Sequence, residues 1–276
     1  VNRRTLMRTG AVLGVASALA LPRAASASAA TAPPILFVAA HPDDETLAMS
    51  VAIAEACAAG RDVHVLLLTD GERSGALAVL NGTVLSPWWG SLHRPAVEGY
   101  APFTAATMAA ARVTEARNAV AALSSGLPGR LTLHRALLPD GAVTVAAARL
   151  AVLSAADRIA PGAPVALRVH SDVFDYHRDH VAAGAACRAL RLSSPGRFGD
   201  LRYYVEPPDW MDTRLGRVRR TWDTPATPDI AARATAAYRA YGTWAPAAGT
   251  FAIGYHSVYA THFVPLLANP RCMSHV

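Results

Sequence analysis

Between residues 34 and 206 the chain repeats one pattern: a short apolar run, a cluster of polar turn residues, then a longer stretch of helical composition. "ILFVAA" (35–40), "DVHVLLLTDG" (62–71), "LTLHRALLPDG" (131–141), "PVALRVHSD" (164–172) and "DLRYYVE" (200–206) read as strands, the first of them an unbroken apolar run of the kind covered on both faces. Helices are predicted over 45–59, 104–125, 145–160, 179–193 and about 228–241, the first stopping at Gly60. This alternation predicts an α/β fold with one mainly parallel sheet and helices on both faces. Two stretches break the rhythm. Residues 74–103, rich in Gly and Pro, form a long loop insertion whose Trp88, Trp89 and Tyr100 argue against disorder. It is either a lid facing substrate or an insertion packed on the outside. Residues 247–276 are apolar without clear periodicity and are expected to form an irregular C-terminal tail.

A chain of 276 residues can bury a full core. Its net charge of +6 invites a search for acidic partners, but Arg3, Arg4, Arg8 and Arg23 stand in the first 30 residues with no acid, and removing those four leaves +2. Nothing in that balance favours nucleic acid, and the one dense basic run, "RLGRVRR" (214–220), reads as a solvated loop face. All 26 basic residues are Arg, a habit of composition rather than of function. Cys57, Cys187 and Cys272 are not spaced as metal ligands. The first two read as small core residues, and Cys272 is open to one disulfide.

Residues 1–30 read as an address. Arg3-Arg4, an uncharged apolar stretch of export length (roughly 7–15 residues) and small residues in A-x-A order near 25–29 resemble a twin-arginine export signal. The apolar part, 10–21, is shorter than the about 20 residues that span a bilayer. Export to the outer face of the membrane or beyond is therefore expected, with membrane association if the signal stays uncleaved. Residues 31–276 then form a single domain.

In an open parallel sheet, ligands bind beyond the carboxyl ends of the strands. Here those ends carry His41-Pro42-Asp43-Asp44-Glu45, Thr69-Asp70-Gly71, Pro139-Asp140-Gly141 and "HSDVFDYHRDH" (170–180). Two His and one carboxylate are a common catalytic zinc set that leaves a position open for water. His41 and Asp44, three apart across a turn held by Pro42, can face one point, with His180 closing the site from a distant strand end. Each fragment alone has a plainer explanation: acids after a strand cap the next helix, and HxxH at a helix start is a capping or surface pair. His64, His93, His134 and His275 read as structural or exposed. His170, His256 and His262 could approach the site, but no pattern supports them.

"AHPDDE" followed far downstream by "HRDH", with "RVTE" (112–115) and "LPDG" (138–141) in between, resembles the PIG-L/LmbE-like family of zinc-dependent N-deacetylases across most of residues 34–240. The resemblance implies a Rossmann-like fold, Zn2+ and an N-acetylated amino-sugar substrate. It makes His41, Asp44 and His180 the metal ligands and Asp43 the general base, which takes a proton from water and passes it to the departing amine. His177 helps the oxyanion or the leaving amine, Asp179 orients an imidazole, and Glu45 keeps a capping or supporting role. Arg112 and Asp140 contact substrate, with Trp88 of the insertion beside them. Ala48-Met49-Ser50 and Arg178 depart from the family pattern and are expected to reshape the pocket wall.

Export and an aromatic flap suit a bulky glycosylated acceptor, and within the family the chain is most similar to the exported deacetylases of glycopeptide-antibiotic N-acetylglucosaminyl pseudoaglycones. A cell-wall or thiol-linked glucosamine conjugate is the nearest enzymatic alternative. A carbohydrate-binding protein on the same fold is disfavoured because Asp43 and all three ligands are present. A zinc-independent glycosidase working through Asp43 and a second acid is a further reading.

Overall fold

The structure, a computed structural model, describes residues 32–276. The first predicted strand forms as β1 (Ile35–Ala39), followed by α1 (Asp44–Ala58), β2 (Asp62–Leu67), the short helices α2 (Ala76–Leu80) and α3 (Pro95–Glu98), and the long α4 (Ala105–Ser124). Then come β3 (Arg130–Arg135), α5 (Val145–Ile159), β4 (Ala166–His170), α6 (Arg178–Ser193), α7 (Pro195–Phe198) and β5 (Leu201–Val205). The last part holds β6 (Arg220–Asp223), α8 (Pro228–Ala240), the two-residue strands β7 (Trp244–Ala245) and β8 (Thr250–Phe251), α9 (Ile253–Val258), α10 (Val264–Ala268) and β9 (Cys272–His275).

The main sheet runs β3-β2-β1-β4-β5-β9-β6, and every pairing from β3 to β5 is parallel. β1 shows why its sequence is apolar without alternation. Ile35, Phe37 and Ala39 face one layer with α1, α4 and α8, while Leu36 and Val38 face another built from α5 and α6. Helix starts follow local chemistry: Thr104 and Thr107 form a capping box for α4, Thr144 caps α5, and Thr227 caps α8 ahead of Pro228. Strand order reverses between β1 and β4, so the helices after these two strands leave on opposite faces and a crevice opens at their carboxyl ends.

The tail read as irregular is built of short pieces. β9 runs antiparallel between β5 and β6, with Cys272 and Met273 buried. Its polar residues find partners: His275 Nε2 lies 2.9 Å from Ser171 Oγ, and its ring stacks on Tyr203. A four-residue strand ending in Ser and His carries too little hydrophobic pattern to be seen in the sequence. The basic run ends in β6, an exposed edge strand that starts at Arg220. All three cysteines are free and buried, so the disulfide open to Cys272 is not formed. The export signal expected over residues 1–30 lies outside the described residues. Among the described residues no helix is long and apolar enough to cross a membrane.

α6 lies tight against the end of β4. A methyl group on Gly184 would come 2.5 Å from the His170 carbonyl oxygen and 2.8 Å from the Asp172 nitrogen, both backbone atoms. Gly184→Ala is therefore expected to cost about 1–3 kcal/mol of stability, read from the denaturation midpoint in urea.

Candidate active site

The chain leaves β1 through His41 and Pro42 and enters α1 through Asp43, whose φ is 115°. A non-glycine residue in that region is strained and persists only where its surroundings hold it. Arg112, reaching across from α4, donates to the Pro42 carbonyl and, at 2.9 Å, to Asp43 Oδ1. The Asp43 N–H donates to Glu45 Oε2 at 3.1 Å. Asp43 makes no side-chain cap to α1, so the helix-cap explanation of these acids does not apply to it. Glu45 is fully buried and also accepts from Thr46 Oγ1 and the Tyr241 hydroxyl, each at 2.7 Å. Burial raises its pKa to about 7 against those hydrogen bonds. Burial likewise pushes Asp43 up to about 6 against the pull of Arg112. A carboxyl held near neutrality suits a proton acceptor.

Three donor atoms converge next to that turn. Asp44 Oδ2 lies 3.3 Å from His41 Nδ1 and 3.2 Å from His180 Nε2, and the two imidazole nitrogens are 3.3 Å apart. Ligands about 2.0–2.1 Å from a tetrahedral zinc stand about 3.3 Å from one another, so the triangle fits such an ion as it stands. The electrostatics agree. Burial disfavours a charge on His41, yet Asp44, Asp140 and Asp179 outweigh it and raise its pKa to about 10. A site with that appetite for positive charge is one a divalent cation can fill.

The surrounding residues fix the ligands. His41 Nε2 is 3.3 Å from both Asp140 Oδ1 and Asp179 Oδ2. Asp179 is itself anchored by the N–H groups of Gly141 at 2.7 Å and Val143 at 3.0 Å. Asp175 Oδ2 holds His180 Nδ1 at 2.9 Å. This is the carboxylate–imidazole support that metal ligands use to fix tautomer and orientation. His177 is exposed at the mouth, and its Nδ1 accepts the Asp179 N–H at 3.3 Å, which leaves the ring proton on Nε2. Burial and then the charges of His180 and His41 lower its pKa.

These groups line a cavity of about 720 Å³. Arg112 borders it, as a substrate contact requires, and its guanidinium also clamps the turn through Pro42, Asp43 and Gly71. Gly71 has φ 70°, and a side chain there would run into that guanidinium. Asp140 also borders the cavity, with one oxygen toward His41 and the other accepting the Arg73 N–H at 2.7 Å. Trp88 does not border it. Its ring packs edge-on against Tyr255 and His256, inside the aromatic layer under α9, so the proposed substrate contact is not where the chain places it. The insertion divides: Ala76 and Val79 of α2 form cavity wall, Trp88 packs behind, and Trp89 is exposed. Ala48, Met49 and Ser50 are fully buried in α1 and Arg178 is exposed, and none of them borders the cavity.

Glu206, His170 and His262 complete the site from β5, β4 and the tail. Glu206 Oε1 is 3.1 Å from His170 Nε2, and Oε2 is 3.1 Å from His262 Nε2. Glu206 ends a predicted strand, and the rule that drew attention to the other four strand ends would have found it. His262 had no such signal, because it lies on a tail without periodicity.

A His/Asp/His triangle beside a separate buried carboxylate, at the switch point of a parallel sheet, defines an α/β protein whose donor atoms could hold a cation. A family model described as "PIG-L: GlcNAc-PI de-N-acetylase" matches residues 36–190, more than half of the chain and both halves of the triangle. The chain belongs to the PIG-L family. A 1D-myo-inositol 2-acetamido-2-deoxy-alpha-D-glucopyranoside deacetylase of Rhodococcus jostii is 36% identical over 94 residues, 34% of this chain, and the match spans only 27% of that relative. Among solved structures, a deacetylase of the teicoplanin biosynthetic pathway has a TM-score of 0.57 at 15% identity, over 88% of this chain and 96% of that one. The 4-carboxy-2-hydroxymuconate hydratase of Pseudomonas putida has a TM-score of 0.52 at 19% identity, over 82% of this chain and 83% of that one. At these identities the likeness is one of fold, and the two names describe different reactions.

Two variants test the supporting roles. Asp179→Asn, which leaves all three donors in place, is expected to weaken zinc binding about 10–100-fold in competition with a chromophoric chelator. Arg112→Ala strands the buried Asp43 carboxylate and is expected to lower stability by about 3–5 kcal/mol in chemical denaturation.

Proposed function

We propose that the protein is a zinc-dependent hydrolase that removes the N-acetyl group from an N-acetylglucosaminyl conjugate. The observation that carries the reading is the 3.2–3.3 Å triangle of His41, Asp44 and His180 donors beside a carboxylate, Asp43, that belongs to none of its edges. Membership of a family described as a GlcNAc de-N-acetylase supports it. Bound there, zinc supplies a Lewis acid and lowers the pKa of water towards about 7. The chain's own residues do the rest. Asp43, held by Arg112, takes the proton from the attacking water. The Nε2–H of His177 donates to the oxygen that gains charge as the carbonyl is attacked. Asp140, Asp175 and Asp179 keep the two ligand imidazoles from turning.

We extend the proposal to an exported enzyme acting on a bulky acceptor of the glycopeptide-antibiotic kind. A cavity of about 720 Å³ is large enough for a sugar and part of its acceptor, and the neighbour from the teicoplanin pathway supports the same direction. A second substrate reading, a small inositol-linked glucosaminide, is favoured by the Rhodococcus relative. Mass spectrometry after incubation of both kinds of N-acetyl conjugate with the zinc-loaded chain separates them by which one loses an acetyl group.

Chelation is expected to abolish turnover and added zinc to restore it. Asp43→Ala is expected to keep its zinc and lose about 10²–10⁴-fold in kcat. Near-normal turnover in that variant, or activity indifferent to chelator, overturns the assignment.

A further inference from the structure

Beside the triangle the cavity holds a charged pair that the steps above leave unused: the Glu206 carboxylate lies within 4.8 Å of the Asp44 and His180 donor atoms. Glu206 is buried at the end of β5 and accepts from two imidazoles, one on each oxygen. The two are not equivalent. His170 is fully buried and does not border the cavity, whereas His262 keeps 15% of its side chain exposed and does. His262 lies on a π-helical turn, Tyr259–Phe263, set between α9 and α10. Such turns are rare and occur frequently at functional sites. This one sends Phe263 into the core while keeping His262 against Glu206.

The hydrogen bonding gives the ring a direction. Nε2–H is committed to Glu206, so Nδ1 is the nitrogen that can exchange a proton, and its neighbour at 2.8 Å is the hydroxyl of the exposed Thr261. Burial pulls the pKa of His262 down, but the hydrogen bond and charge of Glu206 outweigh it and hold it above the ordinary value. The chemistry needs such a group. An amide nitrogen does not leave as an anion, and Asp43, which collects the water proton, is pinned by Arg112.

We propose that His262 is a further catalytic residue, the proton donor to the leaving amine, and that Glu206 is the positioning residue that holds it; this rests on the amide-hydrolase reading of the same site. The C–N electron pair leaves with nitrogen, which takes the proton from His262 Nδ1 while the carbonyl re-forms as the carboxylic acid. His262 is left neutral and regains a proton from solvent, and Asp43 releases to solvent the one it took from water. One water is consumed for each amide cleaved, and no other reactant is needed.

The test varies the leaving group. The zinc-loaded full chain is assayed on an N-acetylglucosaminyl conjugate and on 4-nitrophenyl acetate, whose phenolate leaves without a proton. His262→Gln is expected to lose about 10²–10⁴-fold in kcat on the amide and less than about threefold on the ester, with zinc content unchanged. Glu206→Gln, which keeps a partner for the ring but not the charge, is expected to show the same split at smaller size. Equal losses on amide and ester, or no loss on either, overturn the role of His262. A wild-type chain that cleaves the ester but no amide overturns the amide-hydrolase reading, and the role of His262 with it.

Discussion

Six carboxylates are buried around the ends of β1, β3, β4 and β5: Asp43, Asp44, Glu45, Asp140, Asp179 and Glu206. A buried charge without a partner is too costly to keep, so each of them dictates what must stand beside it. Asp43 requires Arg112 from α4. Asp44 is met by two imidazoles, one from its own turn and one from α6. Asp179 is met by backbone N–H groups after β3, and Glu206 by imidazoles from β4 and the tail. The partners come from nearly every segment of the chain, so the site cannot assemble unless the topology does. The same crowd of acids gives the centre its attraction for a cation.

The "RVTE" segment makes this dependence concrete. Arg112 and Glu115 are one turn apart on α4 and act at two distant points. While Arg112 clamps the strained Asp43 turn, the fully buried Glu115 accepts the N–H groups of Phe251 and Ile253 on either side of Ala252, which has φ 50°. Burial raises Glu115 to about 8 despite those bonds. α4 thereby joins the Asp43 turn to the tail that supplies Ser257, Val258 and His262 to the cavity. Arg112 and Glu115 thus hold the site together through contacts at both ends.

Fold and chemistry separate in the comparisons. A hydratase and a deacetylase share this architecture at low identity. What distinguishes a reaction is the set of donors at the rim, and here that set contains the His41/Asp44/His180 triangle, the Asp43 carboxyl held by Arg112, and the Glu206 carboxylate within 4.8 Å of the Asp44 and His180 donor atoms. The insertion contributes Ser74, Gly75 and two residues of α2 to the cavity lining, and its Trp88 packs against Tyr255 and His256.

The sequence by itself determined the parallel core and the first half of the site. Strands buried on both faces must be apolar, and polar residues crowded at their ends have nowhere to go but the rim, so His41, Asp43, Asp44 and His180 were legible from pattern and family resemblance. Glu206 was within reach of the same rule. Only the tertiary structure decided the rest. β9 is too short and too polar to show a period, and its strand character comes from β5 and β6 on either side. Whether Arg112 or Trp88 meets substrate depends on which acceptors and rings lie nearest in space. His262 becomes part of the cavity only because the tail folds back to Glu206, a contact between residues 56 apart that no local pattern records.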